Sequence, residues 1–590
     1  MVIRFGLVLL ALLLGALSFG VFSDASTIRV LVARTILTLD PERPEVAAVA
    51  IEDGRILARG SVDEVRAALG ERSFEIDRRF AEDVLIAGFV DPHIHPTLAA
   101  TILGLDILSA VSWETPDGST VPVIDRESFL GRLRELHDER PPGEWLLTWG
   151  YHEPYHGEIT RKDLDAISSQ RPIFVWQRSV HEMFLNTAAL EELGLEESVL
   201  DADPQADWDE GHLWEQGMLR LGQPMVERLT APTRYLEGLG KMTEVLHRGG
   251  LTTVGEQGFP QVNALAERLS LLFEMWRSDA PYRFVLVPNA MFLLNHEGSA
   301  EGAVAAAQSL LEPSFGGLLG GSTDAVRTVR HAKYYADGAI FSQLMQMTEP
   351  YLDGHHGEWM VDPGDQAALL EAFWGDGWDI HIHVNGDAGL DLVLDQVAVR
   401  RVDDPSGDRQ VVLEHYGYAR EDQHRRVRDL GVLVSNNPYY LHELAPIYAR
   451  HGLGPERASD ISPLGGLARA GVPVSFHSDF PMAPAKPLTL VWVAVNRIAT
   501  DGEVWGEDQR FPLDAALAAV TIEAARSLGL EDEIGSIEVG KRADFTVLGR
   551  SPYEVEPEAL RDIEVLGTIF DGRWYPIVPD PRERSVPAAG

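Results

Sequence analysis

Val84-Leu85-Ile86-Ala87-Gly88-Phe89-Val90-Asp91-Pro92-His93-Ile94-His95 is the stretch on which the reading of this chain turns. An apolar run of strand character ends in two histidines that flank a single isoleucine. Side chains alternate faces along a strand, so both imidazoles point the same way. Two neutral ring nitrogens aimed into one cavity suit Zn²⁺ or a similar ion. The pair carries little by itself, but the end of a barrel strand is where barrel active sites form.

Seven more apolar runs follow, at 251–254, 283–287, 328–335, 379–384, 411–414, 432–435 and 472–476, which with 85–90 makes eight. Amphipathic segments separate them. The alternation predicts an α/β protein, a parallel (β/α)8 TIM-like barrel over residues 87–534. Leu513, Ala516, Leu517, Val520, Ala524 and Leu528 share one face and predict a helix over 513–530. The interval 97–250 is too long for one strand-to-helix connection, so it is read as an α/β insertion subdomain after the first barrel strand. Near the N-terminus Ile28, Val30 and Val32 alternate with Arg29 and Leu31, and Asp53-Gly54 is a hairpin turn; Asp571-Gly572 is another near the C-terminus. Residues 27–86 and 535–580 are therefore expected to pair into a small β-sandwich built from both termini.

Composition narrows the function classes. Of 590 residues, 45% are hydrophobic and 24% charged, which is ordinary globular usage and excludes disorder and fibrous repeats. The absence of cysteine excludes disulfide scaffolds, Fe–S clusters and thiol nucleophiles, and leaves His, Asp, Glu or a modified Lys to hold any metal. Lys and Arg total 50 against 91 Asp and Glu, a net charge of −41 that repels phosphate backbones. Nucleic acid is excluded as a partner, and a small molecule is expected instead. From Phe5 to Ser23 the chain is uncharged and apolar on every face. At about 1.5 Å per residue that run approaches one hydrocarbon thickness. Residues 1–26 are read as a signal peptide or an N-terminal membrane anchor, the one point of membrane contact. The remainder is then exported, either periplasmic or held at the outer face of the inner membrane.

Other chemistry-bearing residues stand at successive run ends. Lys333 lies in an apolar stretch where burial is costly unless the amine is used or modified. His381 and His383 share a face ahead of Asn385-Gly386-Asp387; one is a candidate ligand and the other a candidate core histidine. His415 ends the run 411–414. Asp479 follows 472–478, where it also reads as a helix N-cap.

Taken in order, these pieces resemble the amidohydrolase superfamily, and within it amidohydrolase family 3, whose members include deformylases of N-substituted formamides. The similarity covers nearly the whole chain after residue 27. It runs through Ala87–His95, Gly250-Leu251-Thr252-Thr253-Val254, Lys333 with Asp337-Gly338-Ala339, His383 with Gly386-Asp387, Glu414-His415, Ser478-Asp479 and the tail Gly535–Asp544. The resemblance implies two divalent metal ions, zinc foremost, at the barrel mouth. His93, His95 and Asp479 would hold the more buried ion and His383 and His415 the second. Lys333, carboxylated by CO₂, would bridge them. A metal-bridging hydroxide would attack with Asp479 as general base. Trp149, His181 and Glu215 match family stretches within the insertion. With Asn437 they are expected to line the substrate cleft, and His181 is also a candidate catalytic residue. The implied activity is an exported hydrolase cleaving an amide-type C–N bond, other than a peptide bond, in a small molecule. The alternatives are a mononuclear metal deaminase on the same fold, which Lys333 disfavours, and a non-catalytic envelope binding or regulatory protein, which the intact ligand set disfavours.

Overall fold

A computed structural model describes residues 27–313, 323–403 and 409–577. The apolar segment 1–26 and positions 578–580 of the expected terminal unit lie outside them. Among the described residues no helix is long and apolar enough to cross a membrane.

Eight strands arise at or beside the apolar runs, the first run being divided so that residues 85–87 close the long strand Phe74–Ala87 and 89–90 open the barrel: β1 (Phe89–Ile94), β2 (Leu251–Phe259), β3 (Arg283–Pro288), β4 (His331–Tyr335), β5 (Asp379–Val384), β6 (Val411–His415), β7 (Leu433–Asn436) and β8 (Val474–Phe476). All pair in parallel. They form two sheets: β1, β2 and β3 with the short strand Val326–Thr328 outside β3, and β4 to β8 in chain order. Single bridges join the sheets on both sides, Asn289 to Lys333 and Ile94 to Phe480. The architecture is of the α/β TIM-barrel type, with its ladder interrupted at these two seams. Every residue of β1, β2 and β3 is buried. That is the mark of parallel strands covered on both faces, and it explains why they read as continuous apolar runs.

The helix expected over 513–530 is two helices, Leu513–Ala519 and Ile522–Ser527. Thr521 between them, at φ −138 and ψ −95, leaves the helical region, although the apolar face continues across the break.

The two ends of the chain come together in one hydrogen-bonded sheet of seven strands, where two separate layers were expected. From one edge its strands are Arg573–Pro576, Val565–Phe570, Phe545–Leu548, Phe74–Ala87, Ile28–Leu37, Glu45–Glu52 and Arg55–Gly60. Register shifts between Leu31 and Thr35 let the two long central strands bend without breaking their pairing. Both hairpins turn at Asp-Gly pairs with positive φ, Asp53 at 50 with Gly54 at 72 and Asp571 at 46 with Gly572 at 77, as the two-residue loop requires. Arg283 at the start of β3 ties this sheet to the barrel through a buried ion pair with Asp544, 2.5 Å long.

Between β1 and β2 lies a second sheet of six strands, centred on Leu146–Tyr151 and Ile173–Gln177. Trp149 and Phe174 on those strands belong to the same continuous hydrophobic core as the barrel. Arg178 makes the join specific. Its guanidinium pairs with Glu443 at 3.0 Å, donates to the Met482 carbonyl oxygen and lies against the rings of Trp113, Trp149 and Phe341.

Candidate metal centre

The first ligands follow from how β1 and β8 meet. Asp479 N donates to the His93 carbonyl at 2.9 Å, and His95 N donates to the Phe480 carbonyl at 2.8 Å. Buried Asp91 accepts from the amide and hydroxyl of Ser478, fastening the turn that carries Asp479. Asp479 itself has φ 55, a left-handed conformation that turns its carboxylate back over the strand ends.

His93 Nε2 and His95 Nε2 are thereby 3.3 Å apart. Asp479 Oδ1 lies 3.5 Å from the first and 3.3 Å from the second. Ligands about 2.0–2.1 Å from a tetrahedral Zn²⁺ are separated by about 3.3–3.4 Å, so these three atoms have the edges of one coordination face. Each imidazole is oriented from behind by a buried carboxylate. Glu414 Oε2 accepts from His93 Nδ1 at 2.8 Å, and Glu256 Oε1 faces His95 Nδ1 at 3.2 Å.

The electrostatics suit a cation. Burial, reinforced by the charge of Lys333, holds His93 well below its ordinary range, so it is neutral as a ligand must be. Burial lowers His383 and His415 in the same way. His95 is the exception. Burial opposes its charge, but hydrogen bonds to Asp479 and Glu256 outweigh it and raise the imidazole to about 9. A pocket that favours a proton this strongly is one that a dication would take over.

Lys333 lies wholly buried on β4, and its amine has no hydrogen-bond partner among the described residues. Burial brings it down to about 8 against the pull of Glu414 and Asp479, which leaves part of it as free amine at neutral pH. His383 Nε2 takes a hydrogen bond from Asn385 at 2.9 Å and stacks edge-on to His415, ring centres 4.4 Å apart. His415 Nδ1 lies 3.0 Å from the Tyr440 hydroxyl and 3.1 Å from His477 Nε2. Among the described residues His383 joins no set of three donors.

His381 is taken up elsewhere. Its Nδ1 donates to Glu414 Oε1 at 2.6 Å and its Nε2 faces His331, which leaves His383 at the mouth. His181 from the insertion pairs with Glu215 at 3.0 Å, and both stand at the mouth, His181 about one-fifth exposed. Against burial, the charges of Glu215 and Asp479 raise His181, and its own charge helps to lower His383. Two expected cleft residues are corrected. Trp149 is fully buried core, its indole covered by Arg178 and set edge-on to Trp113. Asn437 is also fully buried; it donates to the Ser478 carbonyl at 3.1 Å and so braces the Asp479 turn.

Sequence reading gave no role to Glu256, Glu414 or His477. His477 was within reach of it, because Ser475, His477 and Asp479 alternate on one face. Glu414 was not, because a regular strand would send Glu414 and His415 to opposite faces. Positive φ at His415 (75) and Tyr416 (53) breaks that alternation and brings both into one cavity.

A barrel-type α/β fold with two histidines and an aspartate held at coordination spacing above its strand ends defines a metal-binding barrel protein. The sequence pattern of the amidohydrolase family matches residues 82–575, and the chain belongs to that family. It is accordingly a metal-dependent hydrolase of carbon–nitrogen bonds. An N-substituted formamide deformylase from Arthrobacter pascens is 27% identical over 560 residues, covering 91% of this chain and 96% of that protein. The Arabidopsis thaliana protein LONG AFTER FAR-RED 3 is 24% identical over 560 residues, covering 92% and 90% respectively. The crystal structure of a metal-dependent hydrolase from Pyrococcus horikoshii OT3 superposes with a TM-score of 0.67 at 23% identity, over 90% of this chain and 99% of that one.

Proposed function

We propose that this enzyme hydrolyses an amide-type C–N bond of a small molecule, with a divalent ion, zinc foremost, held by His93, His95 and Asp479. The observation that carries this reading is the triangle of donor atoms at 3.3 to 3.5 Å. Carboxylation of the unpartnered Lys333 amine by CO₂ would add the anionic oxygens that His383 and His415 lack, and a second ion enters on that condition. Bound metal lowers the pKa of water and polarises the scissile carbonyl. Asp479 takes the proton of the attacking water and returns it to the leaving nitrogen. Tyr440, its hydroxyl 3.4 Å from Asp479 Oδ2, keeps that carboxylate in place. His181, held by Glu215, orients the substrate from the insertion side.

Metal content tests this. Purified wild type supplied with bicarbonate is expected to hold about two ions per chain, as a carboxylate-bridged pair requires. Lys333→Ala should hold about one, and short carboxylic acids should restore part of its activity. One ion in both proteins removes the bridge and leaves the mononuclear site, which is also the arrangement a deaminase would use. Ammonia release then separates deaminase from amide hydrolase.

The uncharged run Phe5 to Ser23 supports work outside the inner membrane. A phosphatase reporter fused at residue 60, active only when exported, is expected to be active. An inactive, cytoplasmic fusion would refute export.

A further inference from the structure

Beneath the metal donors the barrel interior is polar where a barrel of this type is usually filled with branched aliphatic side chains. His331 on β4, His381 on β5 and Glu414 on β6 are all buried there. One hydrogen-bonded line descends through them. His93 Nδ1 to Glu414 Oε2 is 2.8 Å, Glu414 Oε1 to His381 Nδ1 is 2.6 Å, and His381 Nε2 to His331 Nδ1 is 3.0 Å. At its lower end His331 Nε2 faces Asp379 Oδ2 at 3.5 Å, at the start of β5.

The hydrogen bonds set the roles at the upper end of the line. The Glu414 carboxylate is engaged at both oxygens, Oε2 by His93 Nδ1 and Oε1 by His381 Nδ1, and a carboxylate accepts. Both imidazoles bonded to it must therefore donate from Nδ1. His93 is left with a bare Nε2, the atom that faces His95 and Asp479. His381 Nε2 and His331 Nδ1 share the next hydrogen bond.

We propose that His381 and His331 are positioning residues which, through Glu414, fix the tautomer and ring orientation of His93 and so set how tightly the site binds a divalent cation. Neither touches the ion. The inference rests on the reading of His93, His95 and Asp479 as ligands, and adds that their strength is determined from the floor of the barrel. Outer-shell partners of metal-bound histidines carry about 10–100-fold of affinity.

The test is competition of Zn²⁺ between the purified protein and a chromogenic chelator, with folding followed by circular dichroism. His381→Phe is expected to bind at least about tenfold more weakly than wild type. His331→Phe should weaken binding less. His381→Asn, which keeps a donor in the place of Nδ1, should recover most of the loss. In proton NMR of the metal-free protein, the far-downfield imidazole N–H signal of the His381–Glu414 bond should vanish in His381→Phe, and that of His93 should move. If the phenyl ring prevents folding, His381→Ala carries the same comparison. A folded variant with wild-type affinity and an unmoved His93 signal overturns the relay. A wild type that takes up no Zn²⁺ overturns the ligand assignment beneath it.

Discussion

Asp479→Asn is expected to leave a folded protein whose turnover is lower by about three orders of magnitude, within the range of about 10²–10⁴ carried by a positioned acid–base group. The backbone accommodates the change, because asparagine tolerates the left-handed conformation that Asp479 adopts at φ 55. The chemistry does not. An amide has no charge to offer a cation, and it cannot accept the proton that Asp479 would carry from water to the leaving nitrogen. The measurement is kcat at saturating substrate, with metal content determined on the same samples. A variant that retains its metal and loses turnover isolates the proton-transfer role. One that keeps within tenfold of wild-type kcat would show that another group moves the proton.

Arg178→Met is expected to destabilise the protein by about 3–5 kcal/mol, the cost of leaving a buried charge without its partner. Both members of the Arg178–Glu443 pair are shielded from solvent, at 0% and 1% side-chain exposure. Burial already pushes the Glu443 carboxyl upward even with Arg178 beside it. Without the guanidinium, Glu443 must take up a proton or stay buried as an unpaired anion. Urea denaturation followed by fluorescence measures the loss, and replacing both residues, as Arg178→Met with Glu443→Leu, should recover most of it. A loss below about 1 kcal/mol would place the pair among salt bridges that contribute little.

The barrel strands were legible because parallel strands covered on both faces are buried along their whole length, as β1, β2 and β3 are, and so carry apolar runs. His93, His95 and Asp479 were legible because each closes such a run. The terminal unit was half legible. Its Asp-Gly turns are local signals, but one sheet or two depends on the bending of Phe74–Ala87, which no short pattern encodes. Trp149 was misassigned to the cleft because an aromatic residue near a site looks the same in sequence whether it faces substrate or a buried arginine. Arg178 and Glu443 lie 265 positions apart, and nothing local to either announces the other. Glu414 was hidden by the backbone reversal at His415 that places it beside the ligands.

The seam between β1 and β8 has a consequence for persistence. It is held by a single strand bridge, two backbone hydrogen bonds and the grip of Asp91 on Ser478, and the three metal donors straddle it, two on one side and one on the other. An ion held by all three would act as a rivet through this joint. Each tenfold excess of free metal over its dissociation constant adds about 1.4 kcal/mol against opening. The lifetime of the enzyme in a metal-poor or protease-rich medium is then governed by the supply of the ion that also enables its chemistry.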